Sequence, residues 1–211
     1  MFRDRAHAGR LLAEELRAHS ALDSNAIVLG IPRGGVIVAA EVATRLKLPL
    51  DVIVASKIGA PGNPEYAIGA VDPDGAVTQN VYAGYTMDQL ELLGHTAAER
   101  VAARLRLYGD DRAELEVAHR TVVVVDDGIA TGLTAYAAID YLRRHEASRI
   151  VLAVPVIARD AAVFLGARVD ELVTLTEPEM FYAVGQFYRH FEPVDDDSVR
   201  DALRRSSAFR S

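Results

Sequence analysis

The chain has 211 residues, half of them hydrophobic, with a net charge of −7 and no cysteine. That length suits one domain that buries its own core without covalent staples, and the acidic balance argues against a nucleic-acid binder, which needs a basic patch. Without cysteine there is no disulfide framework, thiolate nucleophile or thiolate zinc site, and the six histidines form no His-x-x-x-His or His-Glu-x-x-His pair.

The first segment, residues 2–19, spaces Ala8, Leu11, Leu12, Glu15 and Leu16 as an amphipathic helix. Its charged start, with no apolar stretch behind it, gives no sign of an export signal. An apolar run at 26–31 then meets Pro32-Arg33-Gly34-Gly35, a helical stretch at 36–46 and a second apolar run at 50–55. This is one strand–turn–helix–strand unit. Residues 56–83 are rich in glycine and proline. They read as a mobile loop followed by a hairpin that turns at Asp72-Pro73-Asp74-Gly75.

Helical spacing returns at 87–108. Arginines there alternate with acids, as at Glu99-Arg100 and Arg112-Ala113-Glu114, and read as a solvated face. Next come a β-branched strand at 121–125, a helix at about 132–145, a strand at 149–154, a helix at 158–165 and a strand at 169–175. About five parallel strands alternating with helices predict an α/β fold, an open doubly wound sheet. The tail mixes aromatics with a final helix near 196–205. The longest apolar run, 150–158, is too short to span a bilayer and contains Pro155, so a cytosolic protein is expected.

The strand at 121–125 ends in Asp126-Asp127, followed by Gly128-Ile129-Ala130-Thr131-Gly132-Leu133-Thr134 and a helix. Ligands of open α/β sheets bind at the carboxyl ends of strands. A small, hydroxyl-bearing turn at a helix N-terminus offers amides, hydroxyls and the positive end of a dipole, which together suit a phosphate. Carboxylates beside it suit sugar hydroxyls and a Mg²⁺ ion shared with the ligand. The turn at 30–35 adds glycines that let an anion approach the backbone, and Arg33 as a bidentate donor. Lys57 is one of only two lysines among 23 basic residues. It follows the second strand and is a candidate contact to the same anion.

Four apolar residues, two acids, three variable positions and Thr-Gly-x-Thr resemble the signature of type I phosphoribosyltransferases, which bind 5-phosphoribosyl-1-pyrophosphate (PRPP). The resemblance spans nearly the whole chain and is greatest to a bacterial group whose acceptor no motif defines. It implies that Asp126 and Asp127 bind the ribose hydroxyls, with Mg²⁺ held directly or through water. Residues 128–134 would bind PRPP, with the stretch from Ala130 to Thr134 around the 5′-phosphate. Arg33, Gly34, Gly35 and Lys57 would face the pyrophosphate, in a loop that often carries a strained peptide bond.

The resemblance further implies one domain over 1–211, with a core at about 21–58 and 84–176. A flap and hood at about 59–83 and 177–195 would cover a nitrogenous acceptor, with Tyr66, Phe181 and Tyr182 as candidates to contact it. The tail aromatics have a second reading, packing the tail onto the sheet. A homodimer is implied too. The enzymes for 6-oxopurines carry an aspartate where this chain has Ala130, so that acid or base is missing here.

Two rivals fail on the residues. A response-regulator receiver needs a lysine after its aspartates, but Lys47 and Lys57 both precede them. A Walker A loop needs a Gly-Lys dipeptide, and none exists. A third reading stays open at this point: a PRPP or nucleotide sensor of the same fold that regulates a partner without catalysis.

Overall fold

The structure, a computed structural model, describes residues 1–109 and 115–205, so Arg112, Ala113 and Glu114 lie outside the described residues. Five strands form the parallel sheet: β1 (Ile27–Gly30), β2 (Leu50–Val52), β6 (Thr121–Val125), β7 (Arg149–Val156) and β8 (Glu171–Thr176), in the order β2-β1-β6-β7-β8. β1 and β6 are buried along their whole length. Their continuous Ile and Val runs follow from this, since a parallel sheet covered on both faces leaves no position for a polar residue.

Alternate residues feed two cores. Val28, Val123, Val125 and Val151 face Leu12 and Leu16 of α1 (Arg5–His19), Val36 and Val42 of α2 (Gly34–Leu46), and Val199 and Leu203 of α6 (Asp196–Arg205). Ile27, Leu29, Val122, Val124 and Leu152 face Ile139 and Leu142 of α4 (Leu133–Arg144) and Leu165 of α5 (Arg159–Gly166). Among the described residues, no helix is long and apolar enough to cross a membrane.

The chain leaves β1 toward the edge strand β2 and returns to β6 on the other side of β1. The strand order therefore reverses between β1 and β6, and their carboxyl ends open the crevice where such sheets take ligands. Ile31 donates its amide to the Val125 carbonyl at 2.8 Å, so the turn after β1 and the acidic end of β6 lie side by side.

The segment expected to be a mobile loop is ordered differently. Ser56–Ala60 (β3) pairs antiparallel with Asn63–Val71 (β4), which pairs with Val77–Gln79 (β5) in a three-stranded sheet. The reversal falls at Pro61 and Gly62, where Gly62 has φ of 77°. Gly59 permits the pairing because a Cβ there would lie 2.6 Å from the Pro64 carbonyl oxygen. The strand expected over 50–55 stops at Val52, and Lys57 lies inside β3 rather than just beyond a core strand. Helix α3 (Met87–Gly109) packs across this second sheet, with Leu90 buried beside Ile58, Ile68 and Val71.

The predicted turn at 72–75 is present and tied down. Asp72, only 1% exposed, accepts the amides of Asp74 and Ala76 at 2.9 Å each. Arg144, at the end of α4, pairs with Asp72 and with Asp74 (3.0 Å), and His145 meets Asp74 at 2.9 Å. Burial pushes the Asp72 carboxyl above its ordinary range, while its amide bonds and Arg144 oppose the rise. Arg144→Met is expected to cost about 3 kcal/mol, the low end for a broken buried pair because the arginine is partly exposed. Without Arg144 the folded-state pKa of Asp72 rises further. The loss is therefore full above the ordinary carboxylate range and disappears in acid, where Asp72 is protonated in both states. Denaturant melts of both proteins at neutral and acid pH check this.

Candidate active site

Asp126 and Asp127 leave the end of β6 in different surroundings. The Asp126 Oδ1 atom accepts the Asp127 amide at 2.8 Å. The Asp127 Oδ2 atom accepts from Nε of Arg5, on α1, at 2.6 Å. The two side chains of that ion pair are only 12% and 14% exposed. Arg5 is held in turn by the Glu192 carbonyl at 2.9 Å and by the Phe191 ring, 3.8 Å from its guanidinium carbon. The Tyr188 hydroxyl donates to the Asp127 carbonyl at 2.5 Å.

Burial pushes the Asp126 carboxyl well above its ordinary range, and the neighbouring Asp127 charge adds to the rise. Burial raises Asp127 too, against the opposing charge of Arg5. Burial and like-charge repulsion therefore weigh most on Asp126, while Asp127 faces the opposing charge of Arg5. Arg5→Met keeps the packing on Phe191 but leaves Asp127 unpaired. It is expected to cost about 3 kcal/mol of folding free energy, read from urea denaturation, and Arg5→Lys should restore only part because a single ammonium cannot reproduce the planar fork.

Beyond the carboxylates the chain is pinned, then released. Gly128 sits where a Cβ would lie 2.5 Å from Cγ1 of Val184, so the tail closes directly over it. Ile129 bonds both ways to the extended end of β7, donating to Val156 and accepting from Ala158 at 2.9 and 2.8 Å. Ala130 and Thr131 are exposed, and Gly132, with φ of 82°, turns the chain into α4. Leu133 is buried and anchors the first turn, while Thr134 is half-buried. The opening amides of this 12-residue helix are of the kind that suits an anion.

The Pro32–Arg33 peptide is cis. Arg33 is exposed. The two glycines after it are required sterically. A Cβ on Gly34 would lie 1.9 Å from Oδ2 of Asp127, and one on Gly35 would lie 2.7 Å from the Val125 carbonyl oxygen and 2.8 Å from Cα of Asp126. The glycine turn is therefore pressed against the acidic strand end, a packing reason that adds to the approach of an anion.

Pro32, Lys57 and Thr134 line one cavity of about 530 Å³. The structure thus brings Pro32 of the glycine turn, the lysine and Thr134 at the helix start together. It also adds two residues that the sequence reading placed on a solvated face or did not single out. Arg100 and Arg104 of α3 line the same cavity with Leu93 and Thr96. These four stand three or four residues apart, on one helix face, and two arginines on a face that carries leucine inward were the available signal. Arg5 had no comparable signal.

The three hood candidates lie on β4 and in the tail. Tyr66, on β4, is 46% exposed and joins none of the hydrophobic clusters that hold the tail. Phe181 packs on Phe187, with ring centroids 5.2 Å apart. Tyr182 is 82% exposed. Tyr188 is buried against Phe2 and Phe191, and the Phe2 amide bonds the Phe187 carbonyl at 2.7 Å. The tail aromatics therefore mainly fasten the tail to the N-terminus.

Among the described residues no group of three or more His, Cys, Asp or Glu side chains could hold a metal by itself. Two adjacent carboxylates do fit Mg²⁺ of the kind that arrives with ligand phosphates, because that ion usually takes one or two protein carboxylates and fills its remaining positions with phosphate oxygens and water.

Residues 3–192 match a family model described as the phosphoribosyl transferase domain. A protein of Mycobacterium tuberculosis (strain H37Rv) named "Putative phosphoribosyl transferase" is 44% identical over 213 residues, which cover 98% of this chain and 47% of that protein. The chain thus spans about half the length of the curated relatives it matches. The crystal structure of TT1426 from Thermus thermophilus superposes with a TM-score of 0.83 at 42% identity, covering 97% of this chain and 98% of that one.

Proposed function

The chain belongs to the phosphoribosyl transferase domain family, and from that premise we propose that it transfers the phosphoribosyl group of PRPP to a nitrogen nucleophile, with Mg²⁺ and with release of pyrophosphate. One observation carries the reading. A half-buried carboxylate pair, a helix N-terminus and a glycine turn meet at the reversal point of the sheet, and their chemistry suits a ribose, its 5′-phosphate and its pyrophosphate.

In this reading Asp126 and Asp127 accept hydrogen bonds from the ribose hydroxyls and would hold the Mg²⁺, directly or through water. Residues 128–134 fix the 5′-phosphate through backbone amides and the hydroxyls of Thr131 and Thr134. The C1–O bond breaks, and its electron pair leaves with the pyrophosphate. The nitrogen lone pair forms the new C1–N bond, and the nitrogen's proton passes to solvent. Charge grows on the leaving group, where Arg33, the amides of Gly34 and Gly35, and Lys57 stabilise it. Bound Mg²⁺ would supply further neutralisation of that charge. Holding the ribose at both ends contributes several kcal/mol through positioning.

Ala130 provides no acid or base to the acceptor. Tyr66 and Tyr182 are exposed and suited to an acceptor's face, whereas Phe181 is engaged by Phe187. Titration of PRPP into the protein by calorimetry, with and without Mg²⁺, is the direct test. Saturable binding strengthened by Mg²⁺ is expected, followed by pyrophosphate release when bases are screened. Binding without release from any acceptor would favour the sensor, and absence of binding would overturn the assignment.

A further inference from the structure

We infer that Arg100 and Arg104 of α3 hold the pyrophosphoryl end of the donor together with Lys57, as a wall of cations facing the glycine turn. The inference rests on the PRPP reading above and adds two binding residues to it.

The cavity that Arg100 and Arg104 line is bounded by Pro32 on one side, by the strand carrying Lys57 on another and by Thr134 at the start of α4. Its charged lining consists of Lys57, Arg100 and Arg104, with no acidic side chain among the described residues that line it. Arg100 reaches across to the Lys57 carbonyl at 3.5 Å, which orients α3 against β3. Arg104 is half-buried, one turn further along the same face. The nearest acid that the geometry ties to α3 is Asp196, which accepts from the Tyr108 hydroxyl. It opens α6, outside the residues lining the cavity.

Several cations around one cavity, in a chain of net charge −7, call for an anion of more than one charge. The donor carries two such groups. The 5′-phosphate takes the opening amides of α4 and Thr134, at one border of the cavity and distinct from its three cations. The group extending past Pro32 from the glycine turn is the pyrophosphate, and its far phosphoryl is the part that reaches Lys57, Arg100 and Arg104. Planar guanidinium groups suit phosphoryl oxygens through paired N–H donors.

The test uses the full chain with Mg²⁺, the variant Arg100→Gln/Arg104→Gln, and two probes that separate the ends of the donor. Calorimetry with inorganic pyrophosphate should show affinity weakened about 100-fold in the variant, as expected for losing charged hydrogen bonds. Ribose 5-phosphate should bind within about twofold of wild type, which also certifies that the variant is folded. Arg104→Lys with Arg100 intact should give an intermediate value. Equal pyrophosphate affinity in variant and wild type overturns the inference. Parallel loss of both probes also overturns it, because the arginines would then act only on the fold. A wild-type chain that binds neither probe overturns the PRPP reading and this inference with it, an outcome distinct from the other two.

Discussion

Replacing Asp126 and Asp127 together by asparagine is expected to abolish PRPP turnover, a loss of about 10³-fold or more, while leaving the chain folded. Each carboxylate stands at the reversal point of the sheet, and removing even one preorganised polar contact to a reacting centre typically costs about 10²–10³-fold. Asparagine preserves shape. At Asp126 it can still accept the Asp127 amide, so the loop need not move.

The two single variants should separate function from stability. Asp126→Asn removes a buried carboxyl that is pushed upward by burial and by its neighbour's charge, and should raise the stability of the ligand-free chain by about 1–2 kcal/mol. That corresponds to about 2–8 °C for a domain of this size. A carboxyl whose folded-state pKa is raised costs stability only once the unfolded chain has released its proton. The gain should therefore be present above the ordinary carboxylate range and fade in acid. Asp127→Asn takes away the partner of Arg5 and should destabilise. Pyrophosphate release and thermal melts of the three variants check both statements. Wild-type rates in the double variant would sink the assignment of the site.

Gly35→Ala carries the second large effect. The added methyl would lie 2.7 Å from the Val125 carbonyl oxygen, 2.8 Å from Cα of Asp126 and 2.9 Å from its Oδ1. Two of these three are backbone atoms at the end of β6, buried in the sheet and unable to yield as a long side chain would. The start of α2 must move away from the strand instead. Overpacking of this kind costs about 1–3 kcal/mol. The same shift carries Arg33 and the glycine amides out of line with the carboxylates, and a displacement of about 1 Å near a reacting centre can cost about 10²-fold. A melt and kcat/KM for PRPP measured on the same preparation would show both losses. A stable variant with wild-type kcat/KM would mean that the glycine turn is not part of the site.

The parallel sheet was legible because its signal is local and strong. The run Thr121–Val125 is buried on both faces, so each residue had to be apolar, and the run ends abruptly in two acids. The hairpin of β3 and β4 was not legible. Its strands carry glycine and proline where alternation would show, and a strand held by pairing and by Leu90 of α3 needs no amphipathic pattern of its own. Phe181 read as a stacking platform or, more commonly for such spacing, as packing, since an aromatic ring does either depending on what stands beside it, and Phe187 stands beside it.

By itself, the sequence determined the chemistry that any six or ten consecutive residues can carry: the α/β alternation, the acidic strand end, the glycine turn and the helix start that follows. Only the tertiary structure decided which distant groups complete them. Arg5 meets Asp127 across 122 residues of chain, and Arg100 and Arg104 line one cavity with Pro32 and Thr134. A backbone turn or a strand end is set by its own neighbours in sequence. The partner of a charge is set by where the chain returns in space, and an arginine on a helix has the same local pattern whether it meets water or a site.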